Sequence, residues 1–360
     1  MSKKAFQRKV SSKINIEQAY DYQSQVYGPR YLEYRKQWDS ALHLQYESDF
    51  PLYIMLEQTY KCPLRCVSCV QGYPELRKNY NLNKGGDNST RMSLEMYKDI
   101  VDQASMNNCP SMSMHNNDEP LLIKDVHERI SYAKEKGIMD IIFTTSGILF
   151  DDERLRQIMD AGVTRLCFSI DALTKETYEK VREGGNYDKV IWAIDEALHY
   201  RYSKNNVLPI IRASWVTNTY NEHELDDFIK YFSTKVDYVD IQPLFLGTTG
   251  LKQERKKDDI YVDSKDLIPS RSRKIEDYRC MSPWSTMVIR GNGDAISCPN
   301  FSGAKQIMGN ISNSSIKEIW NDSYKKLRGE CKDGSYTLDG CKDCVDNIFV
   351  VETDKAKGTH

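Results

Sequence analysis

Short apolar runs alternate with amphipathic segments along most of the chain. The runs that have the pattern of strands cover residues 51–58, 111–114, 140–145, 164–171, 209–216 and 236–244. Segments with helical periodicity lie between them, among them 121–137, 151–162, 174–201, which is broken at Gly184-Gly185, and 221–233. Such alternation is typical of a parallel sheet with helices outside it. It predicts an α/β fold built as a partial (β/α)6 TIM-type barrel, with its functional site at the carboxyl ends of the strands.

The pattern is different on both sides of this alternation. Residues 1–50 have mostly helical periodicity and form a predicted N-terminal extension, and the alternating units occupy residues 51–248. Residues 249–277 are polar and charged, which is typical of a linker or a solvated loop. From residue 278 to residue 360 the chain has a hairpin pattern with a Gly-Asn-Gly-Asp turn, followed by an amphipathic helix. We expect a small α+β C-terminal domain there.

Composition narrows the classes of function. The chain has 360 residues, of which 40% are hydrophobic and 28% charged, as in globular proteins with a substantial core. The 50 basic residues are matched by 52 acidic ones, so no basic excess is available to neutralise nucleic-acid phosphates. No apolar run reaches the length of a membrane span, and no apolar segment follows the charged N-terminus as in a secretory signal. We expect a cytoplasmic protein without a nucleic-acid or membrane partner.

Ten cysteines carry the strongest chemical signal. In a reducing compartment they are not expected to form disulfides, so clustered cysteines indicate metal or redox chemistry. Cys62, Cys66 and Cys69 follow the first predicted strand, where a barrel would have its site. Three thiolates on a [4Fe–4S] cluster leave one iron open for chemistry. The alternative is a zinc ion, which needs four ligands and would have to be completed by a distant residue.

A second group of cysteines lies in the C-terminal third of the chain. Cys280, Cys298, Cys341 and Cys344 have the arrangement Cys-x17-Cys-x42-Cys-x2-Cys. Four thiolates are a complete set for zinc or for a closed [4Fe–4S] cluster, and spacing alone slightly favours zinc. Cys331 does not fit this set, and it is either a buried small apolar residue, a hydrogen-atom donor or an alternative ligand.

The first cysteine group resembles a known signature. Cys62-x3-Cys66-x2-Cys69, placed after the first strand of a βα barrel, is similar to the motif of the radical S-adenosylmethionine (SAM) enzymes. The resemblance implies a [4Fe–4S] cluster whose open iron is chelated by SAM, and a 5′-deoxyadenosyl radical that abstracts a substrate hydrogen. It also implies an electron donor of the flavodoxin or ferredoxin type. In such enzymes the cofactor carries out the difficult step, and the protein orients the reactants and excludes water.

Other segments are similar to motifs of the same family, in the same order. "MHNNDEPLL" matches the position of its Gly-Gly-Glu-Pro segment, which implies that Glu119 and Pro120 lie beside SAM. "TTSG" occupies the place of an Asn-Gly pair and makes Ser146 a substitute polar contact. "FSIDA" resembles the fourth-strand motif and implies SAM contacts from Ser169 and Asp171. Each of these polar residues could instead be an ordinary loop or capping residue.

Two arginines are candidates for catalysis or substrate binding. Arg212 lies on a later strand and could project, with Gln242, into the mouth of the barrel. Arg182 follows the fourth-strand motif and could contact the substrate or lie on a helix surface. Arg182, Arg212 and Cys331 are the candidate catalytic residues.

The second cysteine group also resembles a family pattern. A Cys, a Gly-rich hairpin, a second Cys, an "IxEIWN"-type helix and a terminal Cys pair are similar to the SPASM/Twitch extension of radical SAM enzymes. The resemblance implies an auxiliary [4Fe–4S] cluster at these cysteines. Because no cysteine follows Cys344, the shorter Twitch form with one auxiliary cluster is predicted.

Several functions fit this combination. The favoured hypothesis is oxidation of an alcohol on a small sugar-like or aminocyclitol-type substrate, with the auxiliary cluster as the acceptor of the second electron. A carbohydrate epimerase would instead quench the substrate radical with a thiol such as Cys331 or Cys167. A peptide-modifying enzyme and a non-catalytic zinc-binding scaffold are the remaining alternatives. Radical SAM folds host many reactions, so the fold does not identify the substrate.

Overall fold

The computed structural model describes residues 12–73, 91–244, 279–304, 306–342 and 344. All six strands expected from the alternating pattern are present in it, and they run parallel to one another. The strands in these ranges are β1 (Ser12–Ile14), β2 (Tyr53–Glu57), β3 (Arg65–Cys66), β4 (Ser111–Ser113), β5 (Asp140–Thr145), β6 (Arg165–Ser169), β7 (Arg182–Glu183), β8 (Ile210–Thr217), β9 (Tyr238–Pro243), β10 (Thr286–Arg290), β11 (Asp294–Ile296) and β12 (Ile307–Asn310). The predicted polar linker, 249–277, lies outside the described residues.

Helices connect most of the strands. They are α1 (Ile16–Tyr27), α2 (Pro29–Leu42), α3 (Leu94–Met106), α4 (Val126–Glu135), α5 (Asp152–Asp160), α6 (Lys175–Val181), α7 (Tyr187–Ser203), α8 (Leu225–Lys235), α9 (Ser282–Ser285), α10 (Phe301–Ala304), α11 (Ile316–Asn321) and α12 (Ser323–Asp333). Short 3-10 helices cover Val70–Gly72, Pro120–Leu122 and Glu222–Glu224. None of the helices in the described ranges has both the length and the apolar character that a membrane span requires.

The main sheet has ten strands in the order β1-β9-β8-β6-β5-β4-β2-β10-β11-β12. All neighbouring pairs from β9 to β10 are parallel, whereas β1, β11 and β12 join their neighbours antiparallel. Within the described chain, β1 and β12 each pair on one side only, so the sheet curves without closing. This order confirms the prediction of a mostly parallel α/β fold with a partial barrel.

The helices pack on the sheet through the apolar positions that predicted them. In α3 the buried side chains are Tyr97, Ile100, Val101 and Ala104, which follow the spacing of one helix face. The oxygen of Ser93 accepts a hydrogen bond from the backbone N–H of Met96 and caps the first turn. The parallel strands beneath are buried on both faces, and their apolar side chains form one continuous core with those of the helices.

The C-terminal hairpin extends the barrel sheet. Strand β10 pairs in parallel with β2, so that Met287 lies opposite Ile54 and Ile289 opposite Leu56. β10 and β11 form the expected antiparallel hairpin, and Gly293 in its turn has a φ of +87°, which favours glycine. Without β10, the backbone of β2 would be an unpaired edge. The boundary predicted near residue 278 thus separates two segments of one sheet, and the division into domains stays a prediction.

Two predicted helices are interrupted. The segment 174–201 consists of α6 and α7, which are separated by β7 and by the Gly184-Gly185 pair. The segment 314–329 consists of α11 and α12, which are divided at Asp322, where ψ is −81°. The break at Gly184-Gly185 agrees with the prediction from the glycine pair, whereas 314–329 was predicted as one continuous helix and its break at Asp322 was missed.

A buried ion pair at the amino-terminal end of the barrel is expected to dominate local stability. Asp140 accepts hydrogen bonds from Arg165 at 3.0 and 2.8 Å, and others from Gln23 and Thr164. Asparagine at Asp140 would leave the Arg165 charge buried without a counter-ion, which costs about 3–5 kcal/mol. We expect a loss of that size in the free energy of unfolding by urea.

The matched control for this change is Asp188→Asn. Asp188 also pairs with a cation, Lys175, but both side chains are more than half exposed to solvent. Exposed pairs contribute about 0–1 kcal/mol. Equal losses in the two variants would contradict the expected role of the buried pair.

Candidate active site

The loop after β2 brings the first three cysteines together. Strand β3, which contains Cys66, pairs antiparallel with β7, so that Cys66 lies opposite Arg182. The backbone N–H of Cys69 donates to the carbonyl oxygen of Cys66 at 3.2 Å, and that of Gly72 donates to the carbonyl oxygen of Cys69 at 2.9 Å. These bonds fold the loop into a tight turn, with all three thiols bordering one cavity.

Gly72 is required by this turn. A Cβ atom at residue 72 would lie 2.3 Å from the carbonyl oxygen of Cys66, closer than side chains approach a backbone atom. The sequence therefore needs glycine here because the chain passes directly over the cysteine loop.

The chemistry of the three thiols suits a metal cluster. Burial raises the pKa of Cys66 to about 12, although the Arg182 guanidinium acts in the opposite direction. Burial also raises the pKa of Cys62 and of Cys69. Because metal ligands must be thiolates, the free energy of metal binding has to compensate this protonation. Three thiols on one loop fit a [4Fe–4S] cluster that keeps one iron open.

A cavity of about 530 Å³ opens beside this loop, at the carboxyl ends of the strands. Its wall combines the cysteine loop, residues after β4, β5 and β6, the inner face of β8 and β9, and Pro299. The predicted site residues that line it are Cys62, Cys66, Cys69, Glu119, Ser146, Ser169, Asp171, Arg182 and Arg212. Pro120 is buried in the 3-10 turn and is not part of the lining. The position of this cavity agrees with the site expected for a barrel.

Glu119 ties two of these segments together. One of its carboxylate oxygens accepts hydrogen bonds from the Thr145 hydroxyl at 2.6 Å and from the Leu121 N–H at 3.2 Å. The other accepts from the N–H and the hydroxyl of Ser146, at 2.9 and 2.7 Å. These bonds use the acceptor capacity of the carboxylate. In this arrangement Glu119 positions Ser146, and a contact with SAM would have to replace one of the hydroxyl bonds.

Asp171, Arg182 and Cys66 form a buried chain of contacts. The guanidinium of Arg182 donates to the Asp171 carboxylate at 2.6 Å and to the sulfur of Cys66 at 3.6 Å. Asp171 has a φ of +61° and also accepts from the backbone N–H of Val216 at 2.7 Å. Burial raises the pKa of Asp171, and Arg182 opposes the shift. The ion pair holds a positive charge beside a cluster thiol, so the structure assigns Arg182 a place at the site and not on a helix surface.

His115 and Ser214 also line the cavity, and neither was predicted from the sequence. His115 follows β4, and its Nδ1 lies 2.8 Å from the hydroxyl oxygen of Ser113 and 3.4 Å from the backbone nitrogen of Thr144. Ser214 lies two residues after Arg212 on β8, so period-2 alternation could have indicated it. For His115 no local signal was available, because its position depends on how β4 and β5 pair.

Protonation of His115 is expected to be linked to unfolding. Burial, with a contribution from Arg212, lowers its pKa to about 3. The unfolded side chain takes up a proton below about pH 6.5, so the stabilisation is present above that pH and is lost as the pH falls. At about pH 5.5 the loss amounts to about 1.4 kcal/mol. Between about pH 7.5 and 5.5, the free energy of unfolding measured in urea should fall by about 1.4 kcal/mol less in His115→Gln than in wild type.

The control for this prediction is His199→Gln, at an exposed histidine of α7. It should keep the pH dependence of wild type. If the stability of His115→Gln falls with pH as steeply as that of wild type, another group is responsible.

The second cysteine group is assembled in the C-terminal segment. The pKa of Cys341 is raised by burial and by the neighbouring thiols of Cys298, Cys280 and Cys344. The donor set is four thiols, which fits a closed [4Fe–4S] cluster. Among the described residues, no three Cys, His, Asp or Glu side chains converge on a position for a single metal ion.

The segment that carries the second group reaches the cavity at one residue. Pro299, which follows Cys298, lines the cavity, and the side-chain amide of Asn117 donates to its carbonyl oxygen at 3.2 Å. Residues of the cysteine loop, including Cys69 and Tyr73, pack with Ile296 of β11 in one small apolar cluster. The segments that carry the two cysteine groups therefore pack against each other.

Cys331 lies among the auxiliary cysteines. It is buried in α12 beside Leu327 and Tyr336, and Cys280 and Cys341 pack against this cluster. Cys167 is fully buried in β6. Neither residue lines the cavity. As a hydrogen-atom donor to a substrate, each would therefore require a rearrangement of the site.

Comparisons with known proteins agree with this arrangement. The family model of the radical SAM superfamily matches residues 56–238, and that of the SPASM iron–sulfur cluster-binding domain matches residues 280–345. The chain is 27% identical over 227 residues to the GTP 3′,8-cyclase of Clostridium botulinum, which covers 62% of this chain and 65% of that protein. It is 30% identical over 200 residues to the GTP 3′,8-cyclase of Desulforamulus reducens, covering 53% and 56%. The chain thus spans just under two thirds of the length of the curated relatives it matches.

Solved structures share the fold. Streptococcus suis SuiB bound to S-adenosylmethionine has a TM-score of 0.55 at 15% identity, covering 84% of this chain and 74% of that chain. The enzyme anSMEcpe with bound AdoMet has a TM-score of 0.54 at 12% identity, covering 84% and 97%. The radical SAM family model covers half of the chain, and the cysteine loop within that region borders the cavity. Both the sequence and the geometry therefore support membership of this family. The chain belongs to the radical SAM superfamily, binds SAM and [4Fe–4S] clusters, and carries a C-terminal SPASM iron–sulfur cluster-binding domain.

Proposed function

We propose that this enzyme oxidises an alcohol carbon of a sugar-like or aminocyclitol-type substrate to a carbonyl. The observation that supports it best is the position of Pro299, because this residue lines the cavity and directly follows the auxiliary ligand Cys298. When bound, SAM and its cluster would supply a radical that takes one hydrogen atom from carbon, and the auxiliary cluster would accept the second electron. The hydroxyl proton would leave to a basic group or to water, which completes a two-electron oxidation.

The chain's own residues prepare the site for such a reaction. Arg182 and Asp171 fix the cysteine loop against the end of β6 through buried bonds. Glu119 fixes Ser146 in the same way. His115 remains neutral because burial lowers its pKa to about 3, and a neutral imidazole ring can form a hydrogen bond with a substrate hydroxyl. Such preorganised groups orient the substrate and limit access of water to a reactive centre.

The curated relatives act on GTP, and the charge of the cavity argues against that substrate here. Among the described lining residues the cationic side chains are Arg182 and Arg212, and each forms an ion pair with a buried aspartate. Clamps for transferred or bound phosphates use uncompensated arginine, lysine or metal charges. The balance of charge therefore favours a neutral or cationic substrate.

Two of the alternative hypotheses, epimerisation and peptide modification, receive less support. Epimerisation by a thiol needs a cysteine at the substrate, and the cysteines that line the described cavity are those of the SAM cluster loop. SuiB, which shares the fold, has been crystallised with its precursor peptide SuiA. At 16% identity that likeness concerns the fold alone. Peptide modification is accordingly an outcome to be tested and not the proposal.

The test is a product analysis with the reconstituted enzyme, SAM and a flavodoxin-type reductant. Candidate substrates are scyllo-inositol, 2-deoxystreptamine, D-glucosamine and GTP, and each reaction is run in D2O. We expect 5′-deoxyadenosine together with an equal amount of a ketone from a polyol. Epimerised substrate that carries deuterium, or a product derived from GTP, would overturn the proposal.

A double variant tests whether the auxiliary cluster is the electron acceptor. Cys341→Ser combined with Cys344→Ser removes two auxiliary ligands and leaves the SAM cluster loop intact. It should still form 5′-deoxyadenosine but no ketone. Wild-type yields of ketone in this variant would show that the auxiliary cluster is not the electron acceptor.

A further inference from the structure

Beside the cavity, three buried polar atoms on β8 and β9 have no hydrogen-bond partner among the described residues: Nε of Arg212, Oγ of Ser214 and Oδ1 of Asp240. Ser214 lies opposite Asp240 in the parallel register, and Arg212 precedes Ser214 by two residues. All three side chains therefore share one face of the sheet. Arg212 and Ser214 line the cavity, so this is the inward face, and Asp240 lies on it with 2% of its surface exposed.

The ion pair between Arg212 and Asp240 engages one carboxylate oxygen and leaves the other oxygen and the Arg212 Nε without a partner among the described residues. One carboxylate oxygen of Asp240 lies 3.3 Å from Arg212 and also accepts from the Gln242 amide at 3.0 Å, whereas the other oxygen has no partner. Arg212 donates a further bond to the Thr144 hydroxyl at 3.4 Å and keeps its Nε–H unpaired. Folded proteins rarely leave buried polar atoms unpaired without a functional reason.

The chemical types of the three unpaired atoms determine which ligand groups could form hydrogen bonds with them. The Nε–H of Arg212 needs an acceptor, the free oxygen of Asp240 needs a donor, and the Ser214 hydroxyl can do either. An ionised phosphate group offers only hydrogen-bond acceptors, and the negative charge of Asp240 would repel it. An ammonium group alone offers only donors and could not satisfy Arg212. Hydroxyl groups both donate and accept, so two neighbouring hydroxyls satisfy the set.

We propose that Arg212, Ser214 and Asp240 form a subsite that binds two neighbouring hydroxyl groups, or a hydroxyl beside an amino group, of a neutral or cationic polyol. This inference rests on the proposed function in placing the substrate in this cavity, and it adds the residues and the groups that they bind. The opposed charges of Arg212 and Asp240 cancel, which matches an uncharged or singly cationic ligand and not a polyanion.

The test is calorimetric titration of the reconstituted enzyme, with SAM bound, using scyllo-inositol, 2-deoxystreptamine and D-glucosamine as probes. At least one should bind to wild type, and GTP should not. Ser214→Ala should raise the Kd of that probe roughly 3- to 10-fold, the effect of one lost hydrogen bond. Its urea midpoint should be unchanged or higher, because the change removes an unpaired buried hydroxyl. Arg212→Lys, which keeps the charge but lacks Nε, should show a comparable loss of affinity.

Ser111→Ala is the matched control. Ser111 is also buried, on β4, but its hydroxyl donates to the carbonyl oxygen of Asp140 at 3.0 Å. Its loss should lower the urea midpoint and leave the Kd unchanged, the opposite of Ser214→Ala.

The outcomes separate this inference from the proposed function. Failure of every polyol to bind, binding of GTP instead, or an unchanged Kd in both Ser214→Ala and Arg212→Lys would overturn the subsite. A polyol that binds through these residues but yields no ketone would leave the subsite standing and refute the oxidation. A ketone formed with unchanged affinity in both variants would refute the subsite alone.

Discussion

A variant with alanine at Cys62, Cys66 and Cys69 is expected to hold about four iron atoms per chain after anaerobic reconstitution, against about eight in wild type. The three thiols border the SAM-side cavity and no other described cysteine does, so nothing replaces them as ligands. The auxiliary set is left intact and should keep its cluster. With no cluster to deliver an electron to SAM, the variant should form no 5′-deoxyadenosine, a complete loss of activity. Iron, acid-labile sulfide and 5′-deoxyadenosine are the quantities to measure.

Cys109→Ala is the control for this experiment. Cys109 is buried before β4 and lines neither the active-site cavity nor the auxiliary cluster. It should keep the iron content and the 5′-deoxyadenosine yield of wild type. If wild type itself holds only about four irons and the triple variant nearly none, the C-terminal cysteines carry no cluster and the proposed oxidation lacks its electron acceptor.

Alanine at Gly303 is expected to remove the auxiliary cluster while the SAM cluster remains. A Cβ atom at residue 303 would lie 2.4 Å from the sulfur of Cys298 and 2.6 Å from its carbonyl oxygen. Because a backbone atom is involved, side-chain rotation cannot relieve the clash, and the Cys298 ligand must move. Iron should fall to about four atoms per chain, 5′-deoxyadenosine should still form with reductant, and ketone formation should cease.

Gly329→Ala is the matched control for Gly303→Ala. Gly329 lies inside α12 of the same C-terminal segment, and a Cβ atom there would have nothing within 4 Å. Alanine is favoured over glycine in a helix interior by roughly 0.5–1 kcal/mol, so this variant should be slightly more stable with unchanged iron. An iron content of about eight in Gly303→Ala would mean that the turn around Cys298 adapts, and the clash would then be no basis for separating the two clusters.

The two experiments separate the two halves of the proposed reaction. The first removes the source of the radical and the second removes the proposed electron acceptor, although the two cysteine-bearing segments pack against each other. If only the second change spares 5′-deoxyadenosine formation, the reaction requires both clusters in the order proposed. If both changes abolish it, the auxiliary segment is needed for the SAM site itself, through its pairing of β10 with β2.

The sequence by itself determined the strands, the helices and the chemical type of both cysteine groups. Buried parallel strands need continuous apolar runs, and metal clusters need thiols at close spacing, so both leave marks that local pattern reveals. Glu119, Ser146, Ser169 and Asp171 could be located because they stand beside strand ends in recognisable segments. All four line the cavity.

Only the tertiary structure decided which of the remaining polar residues meet. His115 reaches the cavity because β4 pairs with β5, and Asp240 faces Ser214 because of the register between β8 and β9. Cys331, a candidate catalytic residue in the sequence, lies with the auxiliary cysteines because α12 packs against Cys280 and Cys341. The hairpin at β10 completes the edge of β2 across a gap of more than two hundred residues. Such contacts join segments far apart in the chain, and the local periodicity of a sequence carries no information about which distant strand will satisfy a backbone edge or a buried charge.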